Sequence, residues 1–237
     1  FETNSFEQLC INYANEALQG QFNADVLASE QDEYELEGIG WQHVEFADNV
    51  MCLQLISQKE LPGVLHLLDE QCTIQSGSDA NFVAAVRARH SGHPFLVLPK
   101  RGSSGFGIAH YAGVVTYSVA GFVEKNKDVL QQALTQLMQH RCSPFVRHLF
   151  TDTAPSAPPP KRGKSSHKLS VGSQFIMQLG ALMSTVRATG VHYVRCIKPN
   201  GAGEPNTFET QYIGEQLASA GVLEAVRVSR SAWPNRI

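Results

Sequence analysis

The chain has 237 residues, 43% of them hydrophobic and 17% charged, which fits one large or two small globular domains with a real apolar core. No run of about 18 apolar residues occurs, so no membrane span is expected, and no signal peptide is expected at the start. The five cysteines are odd in number and form no CxxC pair, which favours reduced thiols over a disulfide framework or a zinc site.

Residues 4–37 read as one long helical stretch. Asn4 or Ser5 can cap it, with Glu7 or Gln8 three residues on, as a capping box requires. Phe6, Leu9, Cys10, Tyr13, Leu18 and Phe22 fall near helical spacing. Gly20 interrupts the pattern and should weaken the helix by about 1 kcal/mol relative to Ala. The acidic second half, "ASEQDEYELEG", closes at Gly38. "VEFADNVMCLQLIS" and "GVLHLLDEQCTI" read as two short helices on either side of Pro62–Gly63. "SDANFVAAVRARH", opened by Ser78 or Asp79, completes a helix–loop–helix hairpin over 61–90. "SGHPFLVLPKRGSSGFG" is turn-rich. "FGIAHYAGVVTYSVAGFV" alternates and is rich in β-branched and aromatic residues, which predicts strands; "EKNKDVLQQALTQLMQH" returns to helix.

Residues 151–168, "TDTAPSAPPPKRGKSSHK", show no apolar period and read as a long loop, functional or disordered rather than a plain connector. A helix follows over 171–190, with Val171, Phe175, Leu179, Leu182, Met183 and Val186 on one face. "VHYVRCIKPN" predicts a strand closed by Pro199, Asn200 and Gly201. Two helices end the chain, separated by Gly221. No internal repeat is visible.

Charge is distributed unevenly. Residues 1–80 hold fifteen acids and one base, Lys59, and the rest carry a net +11, so the overall −3 hides a split. Such a split marks either an interaction surface or two solvated faces that offset one another. Lys161, Arg162, Lys164 and Lys168 put four cations in eight residues of the proline-flanked loop. A loop of this kind orients an encounter with an acidic partner more than it supplies affinity, or is simply a solvated linker. Nucleic acid is the formal alternative, but interleaved aromatics are missing. "GSSGFG" lacks the Lys-Ser/Thr of a phosphate loop and reads as a flexible turn. His90 and His93 have no third ligand of fitting geometry, and His140 with Cys142 has no orienting partner for a thiol nucleophile.

Several stretches together resemble the myosin motor domain. "NSFEQLCINYANEALQGQFN" is similar to the relay helix, and "HYAGVVTYSVAGFVEKNKD" to an internal strand-and-turn signature. "VHYVRCIKPN" resembles a strand of the central sheet, and "GVLEAVRVSRSAWPNR" the reactive-thiol helix that leads to the converter. Order and spacing match over essentially the whole chain, and the flavour is nearest to the unconventional class V/XI type. The resemblance implies an α/β, predominantly helical fold: part of a P-loop-NTPase-type motor head, with the lower actin-binding half, relay helix, part of the central sheet and thiol helices.

It also assigns parts. Residues 4–37 correspond to the relay helix, 61–90 to the helix–loop–helix of the actin-binding half, 151–168 to the basic loop that meets actin, and 207–236 to the thiol-helix region. The stretch designated actin-binding in the family corresponds to 179–201. It comprises Leu179, Gly180, Ala181, Leu182, Met183, Ser184, Thr185, Val186, Arg187, Ala188, Thr189, Gly190, Val191, His192, Tyr193, Val194, Arg195, Cys196, Ile197, Lys198, Pro199, Asn200 and Gly201. Much of it reads as buried helix and strand, supporting the interface more than touching actin. With the basic loop residues Lys161, Arg162, Lys164 and Lys168 it makes the implied F-actin site. Catalytic, cofactor and metal residues are not expected in this chain.

The P-loop, switch I and switch II of the family do not occur in it. The expectation is a fragment of an actin-based motor. Mg-ATP would be bound only by the intact protein, and this chain alone would be inactive. Its partners would be F-actin, the missing N-terminal motor segments, the converter and light chains, with neither nucleic acid nor a membrane span involved. Any coiled coil would lie outside it, and its place would be the cytoplasmic actin cytoskeleton. The alternative is a truncated, non-motor actin-binding or regulatory protein. Ser219 and Ser229 stand where many myosins have reactive cysteines, Ala232 replaces a usual Gly, and Leu27 and Ser29 replace bulkier relay residues. Those departures put coupling along the relay in doubt.

Overall fold

The computed structural model describes residues 3–38, 40, 48–99, 105–127, 132–150 and 169–231. Helix α1 (Phe6–Phe22) starts at the expected cap: the Ser5 N–H donates to Gln8 Oε1 at 2.8 Å. Phe6, Leu9, Cys10, Tyr13 and Phe22 are buried, as their period requires. Leu18 is 44% exposed, because a step of five residues from Tyr13 turns it about 140° round the helix. Beyond Phe22 the helix does not stop. It widens into a π-helical segment, Asn23–Ala28, and resumes as α2 (Ser29–Leu36). The helix expected over 4–37 is therefore present, with a change of winding that was not expected.

Helix α3 (Val50–Ser57) forms in the next expected helix but starts after Asn49; residues 44–47 lie outside the described residues. The hairpin over 61–90 is α4 (Val64–Thr73) and α5 (Asp79–His90), with Ser78 Oγ accepting the Asn81 N–H at 3.2 Å. His90 Nε2 donates to the Pro62 carbonyl at 2.9 Å and ties the end of α5 to the turn before α4.

A three-stranded antiparallel sheet follows: β1 (Leu96–Val97), β2 (Gly105–His110) and β3 (Gly113–Ser118), in that spatial order. Its register sets Phe106 opposite Tyr117 and Ile108 opposite Val115. Asn4 adds a parallel bridge to Tyr117, so the chain start is pinned to the β3 edge. The strand expectation ran on to Val123. The chain instead turns at Gly121 into α6 (Phe122–Lys127), because the Asp79 carboxylate accepts the Gly121 and Val123 N–H groups at 2.7 and 2.9 Å.

Helices α7 (Gln132–Arg141) and α8 (Pro144–Phe150) pack on one another. Helix α9 (Val171–Arg187) is anchored on α4: Asp69 accepts from Ser170 and Ser173 Oγ, both at 2.5 Å, and from Asn126 Nδ2 at 2.7 Å. Helices α10 (Thr210–Ser219) and α11 (Val222–Ser231) end the described chain, with the turn at Gly221 as expected.

One expected element is not formed. Residues 191–199 pair with no strand among the described residues. A ladder needs a free neighbouring edge, and no strand of the sheet reaches this segment; side-chain contacts to α1 hold it instead. The buried cluster runs from α1 through α3–α5 and the sheet to α6 and α9. At its centre the Phe82 ring lies 5.9 Å from both Phe106 and Phe122, within the range where aromatic pairs attract. The fold is mixed α/β and predominantly helical, and no helix among the described residues is long and apolar enough to cross a membrane.

Candidate functional site

A buried polar group sits on the apolar stripe of α1. Glu16 lies three residues after Tyr13 and seven after Leu9, on the side of the helix that faces the core, and it is fully buried. Three donors meet its carboxylate. Oε1 accepts from His110 Nδ1 at 3.0 Å and from the Tyr111 N–H at 2.8 Å. Oε2 accepts from Asn49 Nδ2 at 2.7 Å. Burial alone would raise its pKa. The bonds from His110, Asn49 and Tyr111 outweigh burial and hold the carboxyl below its usual range.

Counting donors fixes the protons. Asn12 Nδ2 donates to the Tyr117 oxygen at 2.7 Å, and Tyr117 Oη lies 2.7 Å from His110 Nε2. The Tyr117 proton has no other acceptor among the described residues, so it goes to Nε2, and His110 carries its own proton on Nδ1 towards Glu16. The chain of bonds runs one way, from Asn12 through Tyr117 and His110 to Glu16, and ties α1 to the β2–β3 hairpin at two levels. Asn49 adds the segment before α3 by donating also to the Glu16 carbonyl at 2.7 Å.

Glu16, Cys52 and His110 also bring three metal-capable atoms within 4.8 Å of one another. They do not fit an ion. The carboxylate already has three donors, and freeing Nδ1 would move its proton to Nε2 and strand the Tyr117 hydroxyl proton. Nor does the glycine run fit a phosphate loop. Gly105 and Gly107 are strand residues, and a Cβ on Gly105 would stand 2.3 Å from the Tyr117 carbonyl oxygen. Residues 102–104 of the turn expected there lie outside the described residues, and residues 105–107 are strand instead, so no chemical step through ATP can be drawn from them.

A second group surrounds the π segment. Tyr193 Oη donates to Asp25 Oδ2 at 2.5 Å, and its ring meets Phe22 edge-on at 5.1 Å. The Arg195 guanidinium stands 4.6 Å from the centre of the Phe22 ring and donates to Gln19 Oε1 at 3.0 Å. Arg187 donates to Gln21 Oε1 at 2.7 Å. The expected stretch 179–201 thus divides. Leu179, Met183 and Asn200 are buried, Arg187, Tyr193 and Arg195 grip α1, and Leu182, Val194 and Lys198 face solvent. Lys161, Arg162, Lys164 and Lys168 lie outside the described residues. The sequence reading missed Glu16, Asn49, Cys52 and His110 as a group. The signal available was a glutamate placed on an apolar stripe.

The sequence pattern of the myosin head (motor domain) matches residues 1–237. Protein OPAQUE1 of Zea mays is 44% identical over 237 residues, covering all of this chain and 15% of that protein. The Myosin-I heavy chain of Dictyostelium discoideum is 39% identical over 236 residues, with 10% of its length covered. Unconventional myosin-Vb of Homo sapiens is 40% identical over 255 aligned positions, with 14% covered. The chain thus spans a small part of relatives that differ in type but match at similar identity. With the family pattern met from first residue to last, the chain belongs to the myosin head (motor domain) family.

Proposed function

We propose that this chain is part of an actin-based motor of the unconventional class V/XI type, supplying an F-actin-facing surface and the helix that transmits nucleotide state. The observation that carries the reading is the family match along all 237 residues. The continuous helical run from Phe6 to Leu36, footed on the β2–β3 hairpin through Glu16, supports the transmission role. The hairpin of α4 and α5, the exposed side of α9 and the basic loop at 151–168 supply the actin surface. Mg-ATP would be held by other segments of the motor, and converter and light chains would take up the movement. The place of action is the cytoplasmic actin cytoskeleton.

Co-sedimentation with F-actin over a salt series tests the reading. Binding should weaken as salt rises, because exposed charges are screened within about 8–10 Å at ordinary ionic strength. Replacing Lys161, Arg162, Lys164 and Lys168 together with Ala should slow association. Binding that ignores both salt and these substitutions would remove the loop from the actin surface.

A further inference from the structure

Asn200 and Gly201 open the turn that leads into α10, and Asn200 is the one asparagine of the chain followed by glycine. That pair has a chemistry of its own. The Gly201 backbone nitrogen can attack the side-chain carbonyl carbon of Asn200, because glycine has no Cβ to shield the nitrogen or restrict the backbone. The structure leaves one partner open and locks the other. Gly201 is exposed, and a Cβ built on it would meet nothing within 4 Å. Asn200 is 2% exposed, and its amide is engaged at both ends. Oδ1 accepts the Glu204 N–H at 2.9 Å, and Nδ2 donates to the Glu204 and Thr207 carbonyls at 2.7 and 2.9 Å. The turn that these bonds close holds left-handed backbone at two positions, Gly203 (φ 75°) and Asn206 (φ 59°), and the second is costly for a residue with a Cβ. The Glu209 N–H joins its far end to the Pro199 carbonyl at 2.9 Å.

We propose that Asn200–Gly201 is a deamidation site that the folded turn keeps closed, and that conversion removes the lock that prevented it. The Gly201 nitrogen forms a bond to Asn200 Cγ, and Nδ2 leaves as ammonia, taking up the proton that the Gly201 nitrogen gives up. Water then opens the five-membered imide to aspartate or isoaspartate. While the turn is closed, Nδ2 is held by two carbonyls and burial keeps water from Cγ. Conversion therefore follows the open population of the turn. Both products lack the NH2 group, so the Glu204 and Thr207 carbonyls lose their donor. Aspartate sets a carboxylate against them, and isoaspartate adds a methylene to the backbone. The original turn cannot close again, so release is one-way. Gln216 confines the change. Its amide accepts the Lys198 N–H and donates to the Lys198 carbonyl, both at 2.9 Å, and so holds α10 to the incoming segment independently of Asn200. None of this depends on the motor reading.

Peptide mapping by mass spectrometry tests it, following aspartate and isoaspartate at position 200 of the 237-residue chain over time, in native buffer and in urea. Conversion in native buffer should be about a hundredfold slower than in urea, the combined effect of three hydrogen bonds. Gly203→Ala puts a Cβ at a left-handed position with open space around it, so it strains the turn without touching Asn200. It should speed conversion in native buffer about tenfold and leave the rate in urea unchanged. Asn200→Asp stands in for one product. It should raise hydrogen–deuterium exchange at the Glu209 amide about tenfold, with β2 and β3 as in wild type. Equal rates in native buffer and urea overturn the proposal, and so does an Asn200 that stays intact in urea. A Gly203→Ala chain that converts no faster than wild type in native buffer overturns the lock. Unchanged exchange at Glu209 in Asn200→Asp, or an equal rise in β2 and β3, overturns the one-way release.

Discussion

Replacing Glu16 with Gln isolates the buried carboxylate as a source of stability, because volume and shape are almost unchanged. The carboxamide keeps one acceptor oxygen. If that oxygen stays towards His110 and Tyr111, the new NH2 faces Asn49 Nδ2, itself a donor. Turned round, it faces the other two donors. Asn49 retains its bond to the Glu16 carbonyl in either case, which bounds the loss. Removing a buried charge also relieves desolvation, but the lowered pKa of Glu16 shows that its donors already outweigh that term. Hydrogen bonds to charged groups contribute about 1.5–3 kcal/mol each, so a net loss of about 2–3 kcal/mol is expected. In a chain of this size that lowers Tm by about 5–10 °C.

The assay is thermal melting of both proteins at pH 7 and then at falling pH. A carboxyl with a depressed folded pKa contributes stability that is present above its unfolded value of 4.5 and is lost as pH falls through the folded value. The gap between wild type and Glu16→Gln should therefore be full at pH 7 and should narrow below pH 4.5. A variant that melts with wild type at pH 7, or a gap that stays constant in acid, refutes the donor count at this site.

Gly20→Ala should destabilise, against the gain of about 1 kcal/mol that helix propensity alone gives. The new Cβ would stand 2.9 Å from Asn49 Oδ1, and Asn49 is pinned by two bonds of 2.7 Å, so a net loss of about 1 kcal/mol is expected from crowding. Denaturant melts check this, and in an Asn49→Ala background the same substitution should become neutral or stabilising. Thiol labelling of the folded chain should reach the exposed Cys196 first. Burial protects Cys52 and pushes the Cys10 thiol up to about 12, so both should label only on unfolding. Mass spectrometry that finds Cys10 or Cys52 modified as fast as Cys196 would count against the packing of α1 on α3.

Patterns that repeat over a turn or a strand were legible in the sequence. Ser5 with Gln8 marked the start of α1, Ser78 marked α5, and the alternation through "GIAHYAGVVTYS" gave the hairpin of β2 and β3. Elements decided by distant residues were not. Val123 reads as strand until the Asp79 carboxylate is seen holding its N–H, a contact across 44 positions. Gly20 reads as a weak point and is instead the place where Asn49 comes close to the helix. Residues 191–199 have strand chemistry without a strand to meet, so their pattern describes a possible pairing rather than one that forms here. The network of Glu16 joins residues up to 105 positions apart, and only the odd placement of an acid among apolar neighbours hints at it. The π segment leaves no mark in its own composition, and its bond from Tyr193 to Asp25 spans 168 positions.

The anchoring of Glu16 has a mechanical side. With Asn12 and Glu16 both bonded to the hairpin and Asn49 bonded at two points, the first three turns of α1 can neither slide nor spin without stripping a buried carboxylate of its donors. The helix behaves as a beam built in at one end. A force applied near Leu36 has its largest moment where the anchorage stops, a few residues past Glu16. The change of winding begins at Asn23, within two turns of that point, so deflection concentrates there instead of spreading along the rod. Stiffness at one place thereby sets where compliance has to be.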